Sequence, residues 1–309
     1  MRWLGDRTLA HLRDVARDGA VDRSQRYELA EEIGRGGMGV VFRAFDRELE
    51  REVAGKVLNP EASGLVERLR QEARILGRLE HPGIVPIHDI GHLADGRLFY
   101  VMKLVRGERL DRYAAASRPL PDRLRIVDRL CDAVAFAHAH GVIHRDLKPE
   151  NIMVGSFGEV LVLDWGVARI RREQPAAAGS ARSPGVTQHG TVLGTPGYMA
   201  PEQEAGSDVD ERADVFAIGS ILAYLVSEPE PALRAIIARA RHADRGLRYG
   251  SVSELADEVK RYAAGAPVHA YRESVVERAS RVVRRYRVPI VLVGAYLLMR
   301  IVLLLVAGI

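Results

Sequence analysis

The sequence contains little cysteine and little lysine. Cys131 is the only cysteine among the 309 residues, which excludes a disulfide-stabilised fold and a zinc site built from cysteines, and fits a reducing compartment. Four of the 45 basic residues are lysines, and all the others are arginines. A lysine inside a motif is therefore more informative in this chain than in most proteins.

Neither sign of charge is in excess. The 45 basic and 41 acidic residues give a net charge of +4, which provides no strong field for binding nucleic acid. The hydrophobic content of 47% and the mean hydropathy of −0.08 exclude a disordered chain and a protein with many membrane spans. These values indicate a globular protein, which we expect to face the cytosol.

The spacing of apolar residues divides the central part of the chain into two regions. In residues 27–105, short apolar runs broken by glycine predict antiparallel strands, with one helix over residues 65–79. Residues 106–271 mostly follow the helix period. The sequence therefore predicts an α+β fold in which a small antiparallel β lobe precedes a larger, mainly helical lobe.

The two ends of the chain differ from this centre. Residues 1–26 carry apolar residues at helical spacing and predict an amphipathic extension. Residues 288–309 are apolar except for Arg300, and as a helix they would span about 33 Å, against about 30 Å for a bilayer core. The basic segment 272–287 is typical of the cytoplasmic side of a membrane span. We predict one C-terminal transmembrane helix; the alternatives are a buried core helix and, for the basic segment, a solvated face or a nucleic-acid patch.

Three glycines form the first motif with chemical meaning. Gly34, Gly36 and Gly39 have the spacing of a loop whose backbone N–H groups approach phosphates closely. Dinucleotide-binding folds share this spacing, but their glycines open a helix, whereas here a strand-like run follows. A plain spacer loop is the alternative.

Further along, Lys56 lies in a strand-like run and Glu72 on the next helix. The two residues either form an ion pair directed into a cleft or are ordinary surface charges.

The segment 144–151, with the sequence HRDLKPEN, is the most specific signal. Asp146 is suited to accept a proton from a hydroxyl nucleophile, and Lys148 to neutralise charge on a phosphoryl group. Asn151 and the later Asp164 offer hard oxygen ligands of the kind that Mg²⁺ prefers.

Together these segments resemble the eukaryotic-like (Hanks-type) protein kinases, and among them the membrane-anchored serine/threonine kinases of bacteria. The resemblance runs in order from Tyr27 to about Tyr271 and includes the segments 164–166 and 200–202. Residues 194–198, with the sequence GTPGY, look like the serine/threonine rather than the tyrosine branch.

The resemblance implies a two-lobed fold that holds ATP and Mg²⁺, or Mn²⁺, in its cleft. Lys56, oriented by Glu72, would hold the α- and β-phosphates. Asp146 would orient and deprotonate the substrate hydroxyl with the help of Lys148. Asn151 and Asp164 would hold the metal. Met102 would be the gatekeeper, and the backbone of residues 103–105 would pair with adenine. The residues implied to bind ATP are Ile33, Gly34, Arg35, Gly36, Gly37, Met38, Gly39, Val41, Ala54, Lys56, Met102, Lys103 and Val105.

Other residues have structural roles by the same resemblance. His144 and Trp165 would stack in an apolar spine between the lobes. Asp214 would begin the helix that anchors the larger lobe, and Arg248 would pair with Glu202.

Regulation is implied by the segment between Asp164 and Glu202. Arg145 is expected to pair with a phosphate on this activation loop. Thr187 and Thr191 are the predicted autophosphorylation sites, with ordinary loop hydroxyls as the alternative, and Thr195 would shape the substrate pocket.

Three departures from the family pattern stand out. Trp165 replaces the usual phenylalanine after the metal-binding aspartate, and Gly55 replaces an aliphatic residue, which we expect to open room above the adenine. After the helix that starts near Asp214, the chain lacks several tens of residues of the usual docking surface, so the helical lobe is predicted to be shortened.

These observations predict a membrane-tethered bacterial serine/threonine protein kinase whose catalytic domain is cytoplasmic. Its expected partners are protein substrates and the membrane, with a homodimer as an open alternative and no nucleic acid. The rival function is a kinase-fold scaffold that binds ATP and signals without catalysis. A small-molecule kinase is disfavoured because it needs no platform for a peptide.

Overall fold

The computed structural model of the protein describes residues 26–36, 39–58, 66–116, 118–165, 169–170, 197–279 and 287–306. The predicted N-terminal helical extension lies outside these residues. Most of the predicted activation loop also lies outside them.

The first part of the described chain is an antiparallel β lobe. Its strands are β1 Tyr27–Arg35, β2 Gly39–Asp46, β3 Arg51–Leu58, β4 Ile87–His92 and β5 Leu98–Lys103. They form one sheet in the order β1-β2-β3-β5-β4, so β3 and β5 are direct neighbours. One helix, α1 (Val66–Leu76), separates β3 from β4. This arrangement confirms the predicted small antiparallel lobe, with a helix somewhat shorter than expected.

The second part is mainly helical. Its helices are α2 Leu110–Ala115, α3 Leu120–Ala139, α4 Pro201–Glu204, α5 Arg212–Leu225, α6 Pro231–Ala240 and α7 Val252–Ala263. Its short strands are β6 Gly107–Arg109, β7 Val142–Ile143, β8 Ile152–Gly155, β9 Val160–Val162 and β10 Arg169–Ile170. β6, β8 and β9 form one sheet, and β7 pairs with β10. Single 3₁₀ turns lie at Pro149–Asn151 and Arg245–Leu247.

The core of this lobe is built around α5. Residues 213–222 of α5 are buried on every side of the helix, because they are apolar or small without interruption. Gly219 allows α6 to approach closely, since a Cβ there would lie 2.6 Å from the Cβ of Ala240. Only residues 226–230 separate α5 from α6. The helical lobe is therefore closed by a short connection at the place where the sequence indicates missing residues.

The start of α7 is capped by side chains. Ser251 is the N-cap, and its hydroxyl accepts a hydrogen bond from the backbone N–H of Glu254 at 3.2 Å. The glutamate carboxylate in turn accepts the N–H of Gly250 at 2.9 Å. The first contact satisfies a donor that a helix start leaves without an intrahelical partner, and the second holds the residue before the N-cap against the first turn.

The last described helix, α8 (Arg287–Val306), covers most of the predicted membrane span. The apolar side chains that the structure describes on it, from Val291 to Leu303, are about half exposed or more. In the described part of the chain, none of the helices combines the length and the apolar character that crossing a bilayer requires. The prediction of a transmembrane helix is therefore not supported.

Candidate active site

An ion-pair network joins the two lobes. Nζ of Lys56 on β3 lies 3.0 and 3.1 Å from the carboxylate oxygens of Glu72 on α1. The same Nζ lies 3.0 Å from Oδ1 of Asp164, just beyond β9 of the helical lobe. The lysine and the glutamate are almost completely buried, with exposed fractions of 7% and 1%. Burial of this kind excludes the alternative of ordinary surface charges.

The charges in this network shift one another. Burial alone would lower the pKa of Lys56, but the negative charges of Glu72 and Asp164 raise it. Burial would raise the pKa of Asp164, but the charge and hydrogen bond of Lys56 hold it below its ordinary value. Burial and the charge of Asp164 raise the pKa of Glu72. Lys56 and Asp164 therefore hold each other in their charged forms.

The catalytic loop brings Asp146, Lys148 and Asn151 together. Nζ of Lys148 lies 3.0 Å from Oδ2 of Asp146. The side-chain amide of Asn151 donates to the backbone oxygen of Asp146 at 2.8 Å and to its Oδ2 at 3.2 Å. These bonds use the amide nitrogen of Asn151, and none of the described residues donates a hydrogen bond to its Oδ1, the atom that a cation needs. A 3₁₀ turn places Asn151 immediately before β8.

Backbone strain concentrates in this region. Arg145 and Asp164 have φ angles of 70° and 59°, in the left-handed region that non-glycine residues rarely adopt. The buried carboxylate of Asp214 holds the loop at this point. It accepts the backbone N–H groups of His144 and Arg145, each at 2.9 Å, and Nε2 of His138 at 2.7 Å. The strained conformation is therefore fixed by an anchor inside the helical lobe.

His144 and Trp165 are in direct contact. Their ring centroids lie 4.6 Å apart, and both side chains are fully buried. Nε2 of His144 lies 3.0 Å from the carbonyl oxygen of Leu163, and Nδ1 receives the N–H of Asp146 at 3.3 Å. Both ring nitrogens of His144 therefore have a backbone partner. The indole N–H of Trp165 donates to the carbonyl of Val162 at 3.3 Å.

The glycines of the first motif are needed for different reasons. A Cβ on Gly39 would lie 2.3 Å from the carbonyl oxygen of Val57 on the neighbouring strand. By contrast, among the described residues a Cβ on Gly36 would meet no atom within 4 Å, and one on Gly34 would only touch Val41 at 3.9 Å. The close approach of β3 requires a glycine at position 39, whereas at Gly34 and Gly36 the space beside the backbone is open. Open space of this kind fits a loop that phosphate groups approach.

The expected adenine side of the cleft is formed by β3 and β5. Ala54 is paired with Met102, and both are largely shielded from solvent. The N–H of Lys103 donates to the carbonyl of Pro86 at 3.1 Å, so this amide is already used. Among the backbone N–H groups of residues 103–105, Lys103 is therefore not the donor to adenine.

The prediction for Gly55 is wrong. A Cβ at this position would lie 3.3 Å from Cδ2 of Leu29 and 3.9 Å from Cβ of Ala44, among the residues of the opposite sheet face. Successive residues of a strand point to opposite faces, so Gly55 faces away from the side that Ala54 and Lys56 share. It opens no room above the adenine.

Arg248 is paired with Glu202 inside the helical lobe. Its two terminal nitrogens each lie 2.7 Å from one carboxylate oxygen, a bidentate geometry, and its side chain is fully buried. It also donates to three carbonyl groups, those of Arg212, His242 and Ala243.

The remaining predicted residues vary in placement. Ile33 and Arg35 lie exposed on β1, Val41 lies on β2 and Val105 follows β5. Gly37, Met38, Thr187, Thr191 and Thr195 lie outside the described residues.

Three residues of the site were missed by the sequence analysis. The hydroxyl of Tyr100 donates to Oε1 of Glu72 at 2.8 Å. His138, at the end of α3, binds Asp214. Gln203 on α4 donates to the carbonyl of Arg145 at 2.8 Å and accepts the N–H of Ala200 at 3.1 Å. All three residues contact segments that are distant in the chain. Only Tyr100 leaves a signal in the sequence, namely the alternation of side chains along the strands beside Lys56.

The donor set of the site fits a metal that binds together with phosphate. Over the described ranges, no group of three or more histidine, cysteine or acidic side chains is arranged to hold a metal ion. Asn151 and Asp164 offer one amide oxygen and one carboxylate. Mg²⁺ requires six oxygen ligands and usually completes its shell with water and substrate phosphates.

The fold combines a β lobe with a helical lobe, and a lysine–glutamate–aspartate network links the two. Together with the loop of sequence HRDLKPEN, these features define the protein kinase class. The family described as protein kinase domain matches residues 27–253. The chain belongs to this family. The family predicted from the sequence is confirmed.

Two bacterial proteins are among the curated sequences to which the chain is similar. The chain is 32% identical over 296 residues to Serine/threonine-protein kinase PknD of Chlamydia felis, covering 79% of this chain and 32% of that protein. It is 35% identical over 244 residues to PknD of Protochlamydia amoebophila, covering 71% of this chain and 25% of that protein. The chain therefore spans about a third or less of the length of these relatives.

Proposed function

We propose that this chain is a protein kinase that uses ATP and Mg²⁺ to phosphorylate serine and threonine hydroxyls of proteins, including its own activation loop. The observation that carries the proposal is the contact of Lys56 with both Glu72 and Asp164. This contact brings the phosphate-holding lysine of one lobe to the metal-binding aspartate of the other. The serine/threonine kinases among its relatives support the same substrate class.

The residues present fit MgATP. Gly34 and Gly36 leave space for the phosphates, and the partly exposed carboxylate of Asp164 is accessible to a cation. Asn151 and Asp164 would hold Mg²⁺, and Lys56 would hold the phosphates. When bound, MgATP supplies the phosphoryl group. Asp146 would orient the substrate hydroxyl and take its proton, while Lys148, 3.0 Å from Oδ2 of Asp146, offsets the negative charge nearby.

The test is transfer of the labelled γ-phosphate from MgATP to the full chain itself and to a generic basic protein. Asp146→Asn serves as the control, because an amide cannot accept the proton. We expect label on serine or threonine in the wild type, and a loss of at least about a hundredfold in the variant, in line with loss of general base catalysis. Equal labelling in the wild type and in the Asp146→Asn variant would contradict the proposal.

The second candidate is an ATP-binding scaffold without catalysis. The short connection over residues 226–230 favours it, because little surface remains there for docking a substrate. The same experiment separates the two functions. No transfer combined with tight ATP binding would support the scaffold.

Self-phosphorylation and location are separate proposals. Thr187 and Thr191 are the proposed phosphate acceptors, because Arg145, directly before Asp146, is expected to pair with a phosphate on the activation loop. Mass spectrometry of the active protein tests both sites.

Location at the cell membrane rests on the apolar sequence 288–309 and the basic segment before it. Fractionation of cells that express the full chain tests this location, and recovery of all the protein in the supernatant would overturn it.

A further inference from the structure

Tyr100 lies next to the ion pair of the active site without belonging to any of its expected motifs. On the paired strands β3 and β5, Lys56 is directly opposite Tyr100. Directly opposite residues of an antiparallel pair project from the same face of the sheet. Both side chains therefore point towards α1, where Glu72 lies. Tyr100 is buried, with 2% of its surface exposed.

The contacts of Tyr100 are polar at one end and apolar along the ring. Its hydroxyl donates to Oε1 of Glu72 at 2.8 Å. Nζ of Lys56 lies 5.8 Å from the centre of its ring, within the range of a cation–π contact. One tyrosine side chain thus contacts both partners of the ion pair.

The glutamate needs a second donor at this place. Lys56 divides its hydrogen bonds between Glu72 and Asp164, so its charge is shared by two carboxylates. A buried carboxylate with incomplete hydrogen bonding is costly. The hydroxyl of Tyr100 gives Oε1 a second hydrogen bond beside the one from Lys56, and it fixes the orientation of the carboxylate relative to β5.

We propose that Tyr100 is a positioning residue: its hydroxyl holds Glu72, and through Glu72 it holds Lys56 in the geometry needed for phosphoryl transfer. Because Tyr100 would affect catalysis only through Glu72, this proposal rests on the proposed kinase function. It predicts that removing one oxygen atom lowers turnover although the residue is expected to touch neither nucleotide nor substrate.

The chain offers a matched control. Tyr27 on β1 is equally buried, with 3% of its surface exposed, and its hydroxyl donates to the buried carboxylate of Asp89 at 3.0 Å. Asp89 takes no part in the ion pair of the active site. Tyr27→Phe and Tyr100→Phe thus each remove one buried tyrosine–carboxylate hydrogen bond from the same lobe, and only the second touches Glu72.

The first test compares the full-length variants in phosphate transfer. We expect Tyr100→Phe to lower kcat about tenfold with an unchanged KM for the protein substrate, and Tyr27→Phe to keep kcat within twofold. In the Glu72→Gln background, Tyr100→Phe is expected to cause no further loss, because its effect passes through the glutamate. The proposal is overturned if Tyr100→Phe keeps kcat within twofold, or if it lowers kcat by the same factor in both backgrounds.

The second test needs no activity, so it separates failure of this proposal from failure of the kinase function. With only four lysines in the chain, protein grown on ¹³C-labelled lysine gives few side-chain NMR signals, and Lys56→Arg identifies the one from Lys56. Tyr100→Phe is expected to shift the Lys56 signal, and Tyr27→Phe to leave it in place. An unmoved Lys56 signal in Tyr100→Phe would overturn the proposal even in an inactive protein.

Discussion

At the scale of single residues, the glycine motif combines two different requirements. Gly39 has no room for a side chain because the backbone of β3 lies against it, whereas Gly36 faces open space. The N–H of Gly36 donates to the carbonyl of Gly39 at 2.9 Å, which closes the turn between β1 and β2. A motif that looks uniform in the sequence therefore has one glycine that serves the fold and others that are available to a ligand.

Alanine substitutions are predicted to separate these requirements. Gly39→Ala forces β2 away from β3, and we expect it to lower the free energy of unfolding by about 2 kcal/mol or more, as overpacking does. Gly36→Ala should leave stability within about 0.5 kcal/mol and raise the KM for ATP several-fold. Thermal unfolding and steady-state kinetics measure both effects. Equal losses of stability in the two variants would contradict this division.

At the scale of elements, Arg248 joins segments that are distant in the chain. Its guanidinium binds the carboxylate of Glu202 on α4, the carbonyl of Arg212 at the start of α5, and two carbonyls that follow α6. The five donors of a guanidinium match this set, and a lysine would not. The loop before α7 is thereby fixed to the helix that follows the activation segment.

Removal of this arginine is predicted to be costly. Arg248→Ala leaves the carboxylate of Glu202 without its buried partner, and we expect a loss of about 3–5 kcal/mol in the free energy of unfolding. Arg245→Ala is the control, because that side chain is half exposed and lies 3.7 Å from Asp210, so its loss should cost less than about 1 kcal/mol. Urea unfolding measures both. Similar costs for the two variants would show that the buried pair contributes nothing special.

At the scale of the whole molecule, acidic groups with lowered pKa values occur in both lobes. In the β lobe, the hydrogen bond from Arg26 lowers the pKa of Asp46. In the helical lobe, burial alone would raise the pKa values of Asp214, Glu202 and Glu258, but hydrogen bonds from neighbouring groups hold all three below their ordinary values. These four groups thus bind fewer protons in the folded protein than in the unfolded chain in mildly acidic solution.

This difference predicts acid sensitivity. A carboxyl group with a lowered pKa in the folded state stabilises the fold above its unfolded pKa, near 4, and this contribution is lost as the pH falls further. The free energy of unfolding in urea should therefore decrease as the pH falls from about 5 towards 3. In Glu258→Gln the decrease should be smaller, because one titrating group is absent. An equally steep decrease in that variant would exclude Glu258 as a contributor.

The sequence predicts those parts of the site that lie close together in the chain. Residues 144–151 carry their chemistry within eight positions, so their identity could be recognised without any knowledge of the packing. Tyr100 and His138 could not be assigned, because their roles depend on the register of β3 against β5 and on the packing of α3 against α5. The prediction for Gly55 failed for a related reason, since it overlooked which sheet face the residue occupies.

Trp165 gives the chain an optical property that follows from its position. The sequence contains two tryptophans, and Trp165 is fully buried against His144, one residue after Asp164. A buried indole emits fluorescence at shorter wavelengths than one in water, so an outward rotation of this segment would shift the emission to the red. In Trp3→Phe, all tryptophan emission comes from this single position. The protein therefore carries a natural fluorophore beside the residue expected to hold the metal, and its movements can be followed in real time without a label.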